Sequence, residues 1–233
     1  MTQDEELKAA DPDRWLSSRL VTEPGRRQAL GGLYLLDAEL AKVARAVKDP
    51  LMGDIRLAWW REALEVAGGA GAGRHPAIAA LSPAVQAGWI DPLALAELAE
   101  ARRAELEPFA DEAALCAHLE ATDGALMALA AGLLSPGMER SGLVQAGLAW
   151  GWLKTPLKPA AWAEVSDEEI VAHRRHRALD ALAAARPVLA ALPAEAFPAV
   201  AHLALVKPYA GGRELSELGK RLRVLKASLT GRL

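Results

Sequence analysis

The stretch RRQALGGLYLLDAELAKV, from Arg26 to Val43, decides the fold class of this chain. Apolar side chains in and just after it recur three and four residues apart, as Leu33, Leu36, Leu40, Val43 and Val47. This spacing places them on one face of an α-helix. Pro24 suits the first turn of such a helix, because its missing N–H would have no helical partner there. We therefore predict an amphipathic helix from about Pro24 to Val47.

The same reasoning extends to the next segments of the chain. Asp49-Pro50 should break the first helix and start a second one, which runs to about Val66 and ends at the glycine-rich segment GGAGAG from Gly68. Its apolar residues lie on more than one side, which predicts a central helix. They are Ile55, Leu57, Trp59, Trp60 and Leu64.

Further helices are predicted towards the carboxyl end. One runs from Asp91-Pro92 to about Glu107, and another, capped by Asp111, runs to Leu134. The segment from Ser135 to Ala163 is the least regular. Ser166 and Glu169 form a capping box that starts a later helix. A terminal amphipathic helix carries a leucine stripe, made of Leu215, Leu218, Leu222, Leu225 and Leu229.

These patterns together predict the fold class. Strand signals are nearly absent and no repeat of fixed period is present. We predict an all-α, single-domain helical bundle that spans residues 1–233, with roughly eight to ten helices.

Composition narrows the function classes. The chain has 233 residues, of which 52% are hydrophobic and 24% charged, which is typical of a globular protein. The net charge of −3 argues against nucleic-acid binding, and a single cysteine, Cys116, excludes a disulfide framework. The acidic start is not a secretion signal, and the longest apolar stretch, Gly124 to Leu134, is too short to span a bilayer. We expect a cytoplasmic, soluble protein that can still contact a membrane surface.

Polar residues inside apolar helices are the candidates for chemistry. Asp37 and Glu39 lie in the first helix, Arg56 and Arg61 flank the Trp59-Trp60 pair, and Glu120 and Asp123 lie three residues apart before a small-residue stretch. An unpaired buried charge costs several kcal/mol, so these groups should meet each other or a polar cavity. Both a buried ion-pair network and a ligand cavity fit this pattern. In the first case we expect Arg56 to be buried and paired with Glu39.

Metal and nucleotide sites find little support. His173 and His176 lie within the basic run HRRHR, which favours a solvated face over a metal site. The chain has no G-x-S-x-G, P-loop, G-x-G-x-x-G or H-E-x-x-H motif. The residues therefore predict no metal site and no bound cofactor.

Two stretches, from Arg26 to Val43 and from Gly53 to Leu64 (GDIRLAWWREAL), resemble the squalene/phytoene synthase family. DPDRWLSSRL near the start and LEATDGALMALAAGLL from Leu119 also fit, and the likeness covers nearly the whole chain. The most specific piece, G-x-x-R-L-x-W-W, points to the branch that includes an assembly factor of mitochondrial respiratory complex I. The resemblance implies the isoprenoid synthase fold with a central cavity for prenyl diphosphates.

The resemblance also implies features that this chain lacks. Active members carry two D-x-x-x-D motifs, whose carboxylates bind Mg²⁺ and so neutralise the diphosphate leaving group. At the place of the first motif this chain has Lys42 and Arg45, and at the second it reads QAGLAWGWLKT, from Gln145 to Thr155. The metal ligands therefore do not carry over. Nine residues remain as cavity or ligand candidates, namely Asp37, Glu39, Lys42, Arg45, Arg56, Trp59, Trp60, Glu120 and Asp123.

Three functions stay open at the level of sequence. The first is a catalytically degenerate member that binds an isoprenoid diphosphate or lipid-like ligand, or that acts as an assembly factor. The second is an active prenyl-diphosphate transferase in which Lys42, Arg45 and Arg56 replace Mg²⁺. The third is an unrelated helical interaction domain.

The terminal helix adds a prediction about partners. From Lys207 to Leu233 the chain has seven basic and two acidic residues. We expect the leucine stripe to dock on the core and the basic surface to face either solvent or an anionic partner, such as a membrane surface or an acidic protein.

Overall fold

The computed structural model describes residues 2–47, 49–69, 75–138 and 141–233. Throughout these residues the regular structure is helical and includes no strand, which confirms the predicted all-α class. The α-helices are α1 Gln3–Ala10, α2 Pro12–Ser18, α3 Pro24–Ala46, α4 Pro50–Glu65, α5 Pro76–Gln86, α6 Pro92–Ala101, α7 Glu112–Leu119, α8 Ala125–Leu134, α9 Leu143–Lys154, α10 Asp167–Ala184, α11 Arg186–Ala190, α12 Val206–Ala210 and α13 Glu217–Thr230. Shorter turns complete the bundle: 3₁₀-helices at Arg102–Leu106, Ala160–Trp162, Phe197–Ala199 and Ala201–Leu205, and a π-helical turn at Glu120–Gly124.

Helices α2 to α6 share one way of starting. Each begins with a proline, and the residue before it accepts a hydrogen bond from a backbone N–H of the first turn. The capping residues are Asp11, Glu23, Asp49, His75 and Asp91. Proline fixes the backbone torsion and the cap satisfies a free donor, so these starts are encoded locally. The Ser166 capping box of α10 is also confirmed.

Helix α3 lies at the centre of the bundle, in contact with α1, α2, α4, α5 and α8. It begins at the predicted proline and ends at Ala46, one residue from the predicted end. Its predicted stripe is in the core, since Leu33, Leu36 and Leu40 are fully buried. Tyr34, on the same helix, donates a hydrogen bond to the carbonyl of Ala199, which ties α3 to the carboxyl-terminal part of the chain.

Two of the predicted helices were wrong in extent or continuity. The helix expected to reach Glu107 ends at Ala101 and tightens into a 3₁₀-helix up to Leu106. The single helix expected from Asp111 to Leu134 is interrupted by the π-helical turn, where the hydroxyl of Thr122 donates to the carbonyl of His118. The glycine-rich segment beyond Gly69, which was predicted to end the second helix, lies outside the described residues.

The segment predicted to be irregular contains α9. This helix is buried on nearly all sides, so its sequence has no alternation between a polar and an apolar face to mark it. Trp150 and Trp152 on α9 are almost fully buried, and the helix packs against α10 and the π-helical turn. The prediction failed because uniform burial removes the periodic signal.

Two predictions about exposure were also wrong. Helix α4 is not a central helix, because Ile55 and Trp59 are exposed while Leu57, Trp60 and Leu64 face the core. Of the five leucines in the predicted terminal stripe, Leu215, just before α13, packs against the core, but the four within α13 do not. Leu218, Leu222, Leu225 and Leu229 all point to solvent, and α13 instead packs through Val224 and Ala227.

No helix within the described residues is long and apolar enough to cross a membrane.

Candidate ligand cavity

A buried arginine joins three helical segments at the centre of the site. Arg14, on α2, donates one hydrogen bond from Nη1 to Oδ2 of Asp37 at 2.8 Å and one from Nη2 to Oδ1 of Asp123 at 2.7 Å. Asp37 lies on α3 and Asp123 on the π-helical turn. The Arg14 guanidinium also lies over the ring of Tyr34 at 5.5 Å, and only 6% of its side chain is exposed. One cation therefore contacts two carboxylates from distant parts of the chain.

The network continues through a second buried arginine. Arg102 contacts the other oxygen of Asp37 and also Oε1 of Glu105. The same Glu105 oxygen lies 3.1 Å from Nε2 of His118. Each side chain in this second arm is nearly inaccessible to solvent. The result is a chain of polar contacts that runs through the bundle, from Asp123 through Arg14, Asp37, Arg102 and Glu105 to the imidazole ring of His118.

The two carboxylates bound by Arg14 have different proton affinities. Burial would raise the pKa of Asp37, but the guanidinium groups of Arg102 and Arg14 outweigh burial and lower it. For Asp123, burial and the neighbouring Asp37 charge together raise the pKa, despite the opposing effect of Arg14. Asp37 is therefore the firmly ionised member of the pair.

A second charged cluster lies beside the first. Asp13, also on α2, contacts Lys154 Nζ at 2.9 Å and Lys220 Nζ at 3.3 Å, and it accepts a hydrogen bond from the hydroxyl of Tyr209. Burial acts to raise the pKa of Asp13, but Lys154 and the other partners lower it overall. Burial and Asp13 together raise the pKa of Tyr209 to about 12. Asp13 thus ties α9, α12 and α13 to α2.

A cavity of about 310 Å³ opens beside these networks. It lies between the start of α2, the second half of α3, and the end of α9 with the segment after it. Its polar lining includes Arg14, Asp37, Arg102, His118, Asp123, Lys42, Arg45, Asp11 and Lys154. Its apolar lining includes Tyr34, Leu119, Trp150 and Leu157. A charged floor with apolar walls suits a ligand that has a charged head and an apolar part.

Four of the nine residues singled out from the sequence line this cavity. Asp37 and Asp123 lie in its buried floor, and Lys42 and Arg45 are exposed side chains of α3 at its edge. Glu39 forms an ion pair with Lys42, one helical turn away on α3. The sequence left open whether these residues form a buried ion-pair network or line a ligand cavity. The structure shows an ion-pair network that forms the floor of a cavity.

The other four residues lie elsewhere, and the expected pairing of Arg56 with Glu39 was wrong. Arg56 and Trp59 are exposed on α4, on the face that does not pack against α6 and α3. Trp60 is buried against Trp59 and His75, with ring centroids 5.3 Å and 4.5 Å away. Glu120 is exposed, because the π-helical turn removes it from the face that carries Asp123. A spacing of three residues places side chains together only in a regular α-helix.

Sequence reasoning missed Arg14, Arg102, Glu105, His118 and Lys154 as members of the site. Arg14 falls within DPDRWLSSRL, a stretch that was noted only for its resemblance. The available signal was an arginine next to two apolar residues in a short helix that has no free polar face. For Arg102 and Glu105, the charge-rich stretch RRAEL reads as solvent-exposed, and only the 3₁₀-helix turns it inward.

The Mg²⁺ that the resemblance implies for active members does not fit these residues. The oxygens of Asp37 and Asp123 are held by guanidinium groups, and the exposed cations Lys42 and Arg45 lie at the same cavity. Mg²⁺ prefers free carboxylate oxygens and is repelled by cations. Among the described residues, no group of three or more His, Cys, Asp or Glu side chains could hold a metal ion.

His202 is a buried histidine in the core beside the cavity. It is completely buried, with its ring edge-on to Trp150 at 4.7 Å and to Tyr34 at 6.3 Å. Burial lowers the pKa of His202 well below its ordinary value of 6.5, and the charges of Arg14 and Lys154 lower it further. The folded protein therefore holds this histidine neutral.

We expect the free energy of unfolding to fall as the pH drops below about 6.5, by about 1.4 kcal/mol per pH unit. In that range the unfolded chain takes up a proton at residue 202 that the folded chain does not, so a lowered pH favours unfolding. Urea denaturation at several pH values measures the slope. His202→Gln should remove most of it, and an equal slope in the variant would contradict the assignment.

Comparison with known protein families agrees with this architecture. The squalene/phytoene synthase family model matches residues 7–155, more than half of the chain. That range contains both arginines, both aspartates and the helices that enclose the cavity. No curated protein and no solved structure matches the chain. The chain belongs to the squalene/phytoene synthase family.

Proposed function

We propose that this family member binds the anionic head of an isoprenoid or lipid-like ligand without Mg²⁺ and does not catalyse its condensation. The cavity of about 310 Å³ is the ligand site in this proposal. The observation that carries it is the neutralisation of both cavity aspartates by Arg14 and Arg102. Carboxylates that are held by guanidinium groups in the folded protein are not free to collect a divalent cation.

The charge of the lining supports an anionic ligand. Five basic side chains line the cavity against three acidic ones, Asp11, Asp37 and Asp123. With Asp37 and Asp123 already paired inside, the exposed ammonium and guanidinium groups of Lys42 and Arg45 are positioned to meet a ligand at the edge of the cavity. Both groups form strong charge-assisted hydrogen bonds with phosphate oxygens.

The size of the cavity limits the ligand. A volume of about 310 Å³ is at the lower end of the range for small-molecule sites, roughly 300–1,000 Å³. It accommodates a diphosphate head and the first part of an apolar chain against Tyr34, Leu119 and Leu157. Trp150, which is buried in α9, adds to the same wall. A single ligand fits this space better than the two substrates of a condensation.

An assembly-type role is part of the proposal. The motif G-x-x-R-L-x-W-W resembles the branch that includes the complex I assembly factor, yet Arg56 and Trp59 within it are exposed and lie away from the cavity. Trp59 belongs to a row of exposed apolar side chains on α4, together with Leu51, Met52 and Ile55, and such a patch favours a contact with another macromolecule. A binding protein that presents such a surface suits assembly or delivery better than turnover.

The second candidate is an active transferase that uses cavity cations in place of Mg²⁺. The same five basic side chains favour it, because preorganised cations can stabilise a leaving diphosphate. The two candidates differ in turnover, which makes them separable by experiment.

We expect farnesyl diphosphate and inorganic diphosphate to bind in the presence of EDTA, as measured by calorimetry. Lys42→Ala/Arg45→Ala should weaken binding about tenfold, or about 1.4 kcal/mol, because it removes two cations from the edge of the cavity. Arg56→Ala is the matched control, since it removes an exposed arginine that lies outside the cavity and should leave the affinity unchanged.

Two outcomes would contradict the proposal. Binding that requires Mg²⁺ would mean that carboxylates become free to hold the metal. A condensed hydrocarbon product, formed from labelled prenyl diphosphate by the wild-type protein and lost in Lys42→Ala/Arg45→Ala, would establish the transferase instead.

A further inference from the structure

Helix α13 exposes a continuous row of leucines. Leu218, Leu222, Leu225 and Leu229 are 66%, 58%, 48% and 78% exposed. They are separated by four, three and four residues, so they form one stripe along the whole helix. A single exposed leucine is ordinary on a protein surface, whereas four aligned ones mark a contact surface.

The opposite face of α13 fixes the direction of this stripe. Val224 and Ala227 are buried, and Lys220 forms ion pairs with Asp13 on α2 and with Glu217. At about 100° of rotation per residue, the leucines lie on the far side of the helix axis from these anchors. The helix therefore docks through Val224, Ala227 and Lys220 and presents its leucines outward.

Cations border the leucine stripe on both sides. The same rotation of about 100° per residue places Arg221 along one edge of the stripe and Lys226 along the other, with Arg223 further round from Lys226. All three are exposed and make no ion pair with another residue of the described chain. Within the helix, Glu217 in the first turn is the one acidic residue. An apolar stripe between cationic edges is the pattern of a helix that lies in an anionic membrane interface.

A second copy of the chain fits this surface poorly. Pairing two α13 helices along their leucines would bring Arg221 and Lys226 of one copy against the same cations of the other, and like charges at flanking positions oppose association. The helix is also short. Its 14 residues give about 21 Å of contact, which is less than the three or four heptads of a stable coiled coil.

We propose that α13 binds the surface of an anionic lipid bilayer, with its leucines inserted among the acyl chains and its basic side chains at the phosphate groups. Insertion removes the four leucines from water, and long basic side chains reach up to the headgroups while their carbon stems stay in the apolar layer. The surface is separate from the ligand cavity and does not depend on the cavity being occupied.

Co-sedimentation with vesicles tests the proposal. The wild-type chain should sediment with vesicles of equal parts phosphatidylserine and phosphatidylcholine, and it should stay in the supernatant with phosphatidylcholine alone. Leu222→Ser/Leu225→Ser should lower the partition coefficient by about tenfold or more, because both residues insert. Arg221→Gln/Lys226→Gln should lower it by a similar factor at low salt.

Matched controls come from other surfaces of the protein. Leu93→Ser removes a leucine that is 58% exposed at the start of α6, and Arg56→Gln removes an exposed arginine on α4. Neither should change vesicle binding. Since every altered side chain is exposed, thermal melts of all the variants should match the wild type.

Three results would overturn the proposal. The wild-type protein could stay in the supernatant with both kinds of vesicle. The leucine variant could bind vesicles as well as the wild type, which would mean that the basic side chains alone account for binding. Sedimentation equilibrium could show a dimer, or a complex with an acidic protein, that forms with the wild type but not with the leucine variant, while the wild type does not bind vesicles.

Discussion

Replacing Arg14 by alanine is expected to lower the free energy of unfolding by about 3–5 kcal/mol. The substitution leaves the carboxylates of Asp37 and Asp123 buried without the guanidinium that both of them contact. Arg102 still contacts Asp37, so the larger loss falls on Asp123. Most small domains are stable by only about 5–15 kcal/mol, so this loss is a large part of the total. Urea denaturation at neutral pH measures it.

The control for this prediction lies five residues away. Arg19 pairs with Asp4 at the surface, where both side chains are about half exposed. Exposed pairs contribute about 0–1 kcal/mol, so Arg19→Ala should be nearly neutral. Arg14→Met combined with Asp123→Asn should recover part of the stability, since the double variant removes the carboxylate charge that Arg14→Ala leaves buried and unpaired. Equal destabilisation by Arg14→Ala and Arg19→Ala would show that the buried network is not what holds α2 in place.

The parts of the fold that could be predicted are those encoded within a few residues. The start of α3 at Pro24, the cap at Ser166 and the core stripe of Leu33, Leu36 and Leu40 depend on spacing and on local hydrogen bonds. Each of these is visible in a window of one or two helical turns. For the same reason α9, which has no polar face, was not predicted.

The candidate site could be predicted only in part, because its contacts are distant in sequence. Arg14 meets Asp123 across 109 positions, and Arg102 meets Asp37 across 65. The sequence marks Asp37 and Asp123 as acids in apolar surroundings, but it does not say which cation reaches them. Arg56 was the arginine expected to be buried because it lies among apolar residues of its helix, and the structure places Arg14 and Arg102 in the core instead.

The terminal helix illustrates a different limit. A stripe of Leu218, Leu222, Leu225 and Leu229 predicts an amphipathic helix, and α13 is one. The periodicity does not say whether the stripe faces the core of its own chain or a partner. Val224 and Ala227, which are smaller than leucine, form the face that packs against the core. The ion pair of Lys220 with Asp13 holds this face towards the core, so the leucines face outward.

A close approach between α9 and the π-helical turn positions Asp123 for its contact with Arg14. A β-carbon added to Gly147 would lie 2.6 Å from Cα of Gly124 and closer still to the carbonyl oxygen of Asp123. On the other side of the crossing, a β-carbon on Gly124 would lie 2.8 Å from Cγ1 of Val144 and 3.3 Å from its carbonyl oxygen. The two segments therefore meet backbone to backbone, at a distance that only glycine allows.

We expect Gly147→Ala to destabilise the protein by about 3 kcal/mol, at the upper end of the range for overpacked sites, because the obstacle is backbone and cannot rotate away. Alanine favours helix by about 1 kcal/mol over glycine, so an unobstructed site would gain stability and the sign of the change is diagnostic. Gly211→Ala is the control for the steric clash, since its added β-carbon meets nothing closer than 3.4 Å. Gly211 is the C-cap of α12 and has an ordinary backbone torsion, so this change should be nearly neutral. Urea denaturation compares the two variants. A neutral or stabilising Gly147→Ala would mean that α9 moves away from the π-helical turn at little cost, and that the position of Asp123 does not depend on this contact.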